Sequence, residues 1–136
     1  MRVKETLEFL RGLGSDADGL VVESGERDDE AWLKLVDPAR QGRWAVVSTP
    51  GDRWFSVETD TGHSLDRFEE DASPDQVRST LSHFVEVART YVESETVPVA
   101  SGWLGITVLS LATSQGEVSL RRSVSAEVRR LLRRGR

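Results

Sequence analysis

The chain has 136 residues, 38% of them hydrophobic, and a formal net charge of −5. That is the length of one domain with enough apolar material for a core, which excludes a disordered tail; the lack of cysteine excludes disulfides, thiolate metal sites and a cysteine nucleophile. The charge is lopsided: residues 121–136 hold seven arginines against Glu127, a net +6, leaving −11 on residues 1–120, a body that repels nucleic acid and attracts basic proteins.

The first stretch, MRVKETLEFLRGLG, mixes charged and apolar residues without the uninterrupted apolar region of a signal peptide. Val3, Leu7, Leu10 and Leu13 recur at helical spacing, and Gly12 and Gly14 stop the helix. SDADG is a turn, LVVES a strand and GERDDE a polar hairpin connection. AWLKLVD alternates, placing Leu33 and Leu35 on one face and Trp32, Lys34 and Val36 on the other, until Pro38 ends it. RWAVVST, RWFSVETD and HSLDRFEE read as three more strands joined by PGD and TG turns; short strands on short turns pair antiparallel.

SPDQVRSTLSHFVEVARTYVES carries the strongest helix signal. Ser73 is the N-cap, Pro74 the first helical residue, and Gln76 completes a capping box. Val77, Leu81, Phe84, Val85, Ala88 and Val92 form one apolar stripe, which packs on a sheet. WLGITVLSLA is apolar on both faces, and its β-branched run favours a strand. TSQG turns into a last strand, EVSLRRS. SVSAEVRRLLRR closes as a helix with Val124, Val128, Leu131 and Leu132 inward. The expected fold is α+β in a single domain, residues 1–136: an antiparallel sheet of about six to seven strands, a long helix packed on one face, and short N- and C-terminal helices.

No chemistry-bearing constellation emerges. His63 and His83 lie in different elements, no HExxH or calcium loop occurs, and GERDDE lacks the alternating spacing that surrounds a cation, so no metal and no cofactor are expected. TGHSLD holds a His, a Ser and an Asp, but neighbours on a strand point to opposite faces, so His63 reads as a turn residue. There is no nucleophile elbow and no phosphate loop, and no catalytic residue is assigned. Arg129, Arg130, Arg133, Arg134 and Arg136 could touch phosphates without reading sequence, but the acidic body opposes nucleic acid. No apolar run is long enough to cross a bilayer. The expectation is a cytoplasmic protein that binds another protein.

The candidate contact is the stretch RWFSVETDTGHSLDRFEED. With Phe55 and Val57 inward, Trp54, Ser56, Glu58 and Asp60 share the outer face, and Asp66, Glu69, Glu70 and Asp71 follow. An exposed tryptophan ringed by carboxylates suits a basic protein partner; alternatively the long helix covers Trp54, and the acids are a solvated edge. GDRWFSVETDTGHSLDRFEED, the proline-started helix, GWLGITVLSL and GEVSLRRS together resemble actinobacterial immunity proteins of bacterial polymorphic toxin systems, over roughly residues 43 to 123. That resemblance implies an antitoxin that binds and neutralises a cognate, basic toxin domain; it carries no short motif, so no residue role comes with it. The element order also resembles secretion chaperones, which implies a homodimeric adaptor binding a protein segment, although the extra strands before the long helix depart from that pattern.

Overall fold

A computed structural model describes residues 1–40, 42–94, 99–101 and 106–122. Helix α1 (Val3–Gly14) buries Thr6, Leu7, Leu10 and Gly14. Its last turn runs so close to the sheet that a Cβ on Gly14 would sit 3.1 Å from Val22 Cγ1 and 3.2 Å from Leu33 Cδ1, so glycine here serves close approach as well as helix termination.

Strands β1 (Val21–Arg27) and β2 (Glu30–Asp37) form a hairpin. GERDDE is therefore not all connection. Gly25, Glu26 and Arg27 extend the strand, and only Asp28 and Asp29 turn, at φ 51° and 62°. Two positive φ values match the twist of a two-residue hairpin, and Asp tolerates that region better than most side chains. After a short 3₁₀ turn (Pro38–Arg40) come β3 (Arg43–Thr49), β4 (Trp54–Thr59) and β5 (Ser64–Phe68).

Helix α2 (Pro74–Glu93) starts as its sequence dictates. Gln76 N donates to Ser73 Oγ at 3.2 Å, and Ser73 N donates to Gln76 Oε1 at 2.8 Å. The chain continues through β6 (Val99–Ser101), β7 (Ile106–Thr113) and β8 (Gly116–Arg121). Sequence pattern did not reveal β6, and the helix expected over the C-terminal arginines lies outside the described residues.

All the described strands join one antiparallel sheet in the order β1-β2-β3-β4-β5-β8-β7-β6. Seven of the eight are five residues or longer and β6 has three. After β5, the chain crosses one face as α2, reaches the far edge as β6 and returns through β7 and β8 to close against β5.

The two described helices share one face. There Ala31, Leu33, Leu35, Ala45, Val47, Phe55, Val57, Leu109, Leu111 and Leu120 meet the α2 stripe, all buried. Phe55 and Phe84 pack edge to face at 6.3 Å and 74°. Each such fully buried Leu or Phe contributes about 1.5–3 kcal/mol by removal from water. The alternation of burial along β2, β4 and, from Trp44 on, β3 leaves the other face to half-buried side chains.

Candidate functional site

The sheet face on which no described helix lies is defined by cross-strand register. Trp32 of β2 pairs with Ser48 of β3, which pairs with Ser56 of β4, which pairs with Asp66 of β5. One row over, Glu23, Lys34, Val46, Glu58, Ser64, Arg121, Val108 and Val99 run across the full sheet. Val36 and Trp44 form part of a third row, and Trp54 and Phe68 close the opposite end. Three of the four tryptophans, Trp32, Trp44 and Trp54, thus stand on this face, each half-buried.

Two of the three indoles rest against a neighbour. Trp32 lies against Gly25, its cross-strand partner; a Cβ there would come within 3.1 Å of Trp32 Cζ2. The missing side chain gives the ring a flat bed, and the ring in turn shields the glycine backbone. Lys34 Nζ sits 5.1 Å from the Trp44 ring centre, a diagonal cation–π pair. Trp54 is registered opposite Phe68, which is 80% exposed. Around Trp32 the face dips into a shallow depression of about 350 Å³, lined by Glu23, Arg27, Asp28, Glu30, Lys34, Val46 and Ser48.

The residues expected from sequence divide here. Phe55 and Val57 point inward and are fully buried, so Trp54 faces away from α2 and the helix does not cover it. Glu58 and Asp66 share its face. Asp60, expected beside them, does not: it lies beyond the end of β4, and its Oδ1 accepts from the Tyr91 hydroxyl at 2.6 Å and from Trp44 N at 3.3 Å. Its carboxylate ties the sheet end to α2, because a buried tyrosine hydroxyl needs a partner and a strand end leaves the backbone free to turn. Glu69, Glu70 and Asp71 follow β5 in the turn to α2, with Asp71 at φ 56°. Sequence singled out Trp54 and left Trp32, Trp44 and Phe68 unmarked. The alternation of AWLKLVD and RWAVVST carried the signal for the first two.

His63 is not a surface turn residue. It is 1% exposed, with Nδ1 2.8 Å from Thr61 Oγ1 and Nε2 2.7 Å from Thr107 Oγ1. Threonine hydroxyls donate or accept, so both nitrogens of a neutral imidazole are satisfied. Burial holds the His63 pKa below its usual 6.5, and the nearby positive charge of Arg122 adds to this; a hydrogen bond to Thr107 and the Asp60 charge oppose it. Beside it, burial and the Asp60 hydrogen bond push Tyr91 above its usual 10.0, while the Arg43 guanidinium stacks 3.9 Å from the ring centre. Ser64 and Asp66 project from the opposite side of β5, so the His, Ser and Asp of TGHSLD do not converge.

Among the described residues no group of three or more His, Asp or Glu side chains is arranged to hold a metal ion, and no helix is long and apolar enough to cross a membrane. What this face offers chemically is aromatic contact area interleaved with carboxylates. Comparison of the chain with protein-family models, curated proteins and solved structures found no match.

Proposed function

We propose that this chain is an immunity protein that binds and neutralises a cognate bacterial toxin domain, using the sheet face opposite the described helices as its docking surface. One observation carries the reading: Trp32, Trp44, Trp54 and Phe68 share a face on which no described helix lies. Large, pre-positioned aromatics supply most of the energy at protein interfaces. Glu23, Glu58 and Asp66 on the same face, with Glu69, Glu70 and Asp71 at its margin, steer a basic partner and reject acidic ones. The resemblance to immunity proteins points the same way.

The test is co-expression with a toxic effector domain encoded next to this gene. Restored growth and co-elution of the two chains support the reading. Continued toxicity with no complex, or a complex that survives serine at all three tryptophans, overturns it.

A second reading, a homodimeric chaperone-like adaptor, has the β1 edge in its favour. Val21 and Val22 are 46% and 39% exposed, and the β1–β2 register turns the backbone of Val22, Ser24 and Glu26 outward. Light scattering decides it: a stable dimer whose β1 amides are protected supports the adaptor, and a monomer at every concentration removes it.

A further inference from the structure

The sheet is nearly unpaired at one internal seam. β5 and β8 are neighbours, yet their ladder contains a single pair, Ser64↔Arg121. Beyond that bridge the two strands run on without pairing, β5 through Phe68 and β8 back to Gly116. The other ladders show what this leaves open. Arg122 N donates to Thr107 O, which makes 118 and 120 the positions bonded to β7 and turns the N–H and C=O of Glu117 and Ser119 toward β5. Thr59 N donates to His63 O and Glu69 N to Arg53 O, so Leu65 and Arg67 bond to β4, and the backbone of Asp66 and Phe68 faces β8. Both walls of the seam therefore present backbone groups that have no ladder partner among the described residues.

The seam is also a cleft. Leu65, Asp66, Arg67, Glu117, Val118 and Ser119 wall a space of about 280 Å³, floored by His83 and Phe84 of α2. His83 Nδ1 is buried and has no hydrogen-bond partner among the described residues. A water or an incoming polar group can meet it there.

We propose that this cleft receives an extended segment of a partner protein, which adds a strand between the open ends of β5 and β8. Main-chain pairing with the free edges supplies affinity, and alternate side chains read the two sides of the cleft. On the helix side Leu65, Val118 and Phe84 ask for apolar residues, and Arg67 and His83 add polar groups to that side. On the other side Asp66 and Glu117, both exposed, ask for lysine or arginine. The segment that fits alternates apolar and basic residues. Because β5 and β8 are antiparallel, it runs antiparallel to one wall and parallel to the other. The proposal stands on the seam alone and does not depend on the immunity reading.

The test uses the full chain and a capped peptide alternating valine and lysine, with a valine–glutamate peptide and a proline-interrupted peptide as controls. Titration followed by amide hydrogen exchange should show the Val–Lys peptide binding at least about tenfold more tightly than either control, a difference of about 1.4 kcal/mol. The amides of Asp66, Phe68, Glu117 and Ser119 should exchange fast in the free protein and slowly in the complex. Ser119→Pro removes a donor that faces the seam while sparing the β7 bonds at 118 and 120, and should abolish binding. Should that variant not fold, the surface pair Asp66→Lys with Glu117→Lys should reverse the preference toward the Val–Glu peptide. Equal affinity for the proline peptide, protection at Val22, Ser24 and Glu26 instead, or slow seam amides without peptide would overturn the proposal.

Discussion

Buried polar groups are costly unless every donor and acceptor is met, and His63 shows how far local sequence misleads about them. It sits in TGHSLD, a stretch with every mark of a surface turn, yet the fold draws its ring inside between Thr61 and Thr107. The pH consequence follows from the direction of its shift. A histidine held neutral by the fold binds fewer protons than in the unfolded chain once pH drops below 6.5. Its contribution is therefore whole above that value and is lost as pH falls through it toward the lowered folded-state pKa. Urea unfolding of the wild type and His63→Phe at neutral pH and at pH ~5.5 checks this. The variant should lose about 1–3 kcal/mol at neutral pH, since the Thr107 hydroxyl loses its His63 partner while Thr61 keeps Thr59, and the loss should shrink on acidification. An equal deficit at both pH values would mean that His63 contributes by packing alone.

At the scale of elements, α2 is the part whose sequence and structure agree most closely. Its capping box, proline start and apolar stripe all appear as read, because capping and 3.6-residue periodicity are local properties of the chain. Removing the cap in Ser73→Ala should lower stability by about 1 kcal/mol. Thermal unfolding measures this, and an unchanged midpoint would show that tertiary packing alone sets the helix start. The far part of α2 has a second tether, Glu86, whose carboxylate accepts from the Ser114 backbone N–H and from the Ser114 hydroxyl at 2.7 Å in the β7–β8 turn. Those bonds hold its pKa below the usual 4.5, so the tether persists at neutral pH and is lost as pH falls through the lowered value. β1 and β6 show the opposite case. The extent of one and the existence of the other depend on partner strands, which no local pattern announces.

Across the described residues as a whole, the consequence of the fold is asymmetry: the two described helices on one face of the sheet, three tryptophans on the other. Changing Trp32, Trp44 and Trp54 together to serine should leave unfolding cooperative, because the inward residues of the same strands make the core. On the proposed immunity function it should weaken toxin binding by several kcal/mol, the scale of hot-spot aromatics. Circular dichroism and a pull-down with the partner read the two halves of that expectation. With carboxylates at the rim, the association rate should fall as salt rises while the dissociation rate changes little. The reverse pattern would place the charges inside the contact.

Strand alternation, helix periodicity and capping are set by neighbours a few residues apart. The α+β class, the separation of Leu33 and Leu35 from Trp32, and the alternation of Phe55 and Val57 with Trp54 could therefore be read from the sequence, but not which of the two faces the helices cover. What no neighbour sets is which strands lie side by side. That Trp32, Trp44 and Trp54 gather on one surface, that Asp60 leaves it for Tyr91, that His63 is enclosed by a threonine 44 residues away, and that β8 returns to meet β5 at a single pair all follow from long-range register. Register is fixed when the whole sheet closes around one core, and a linear pattern holds no record of it.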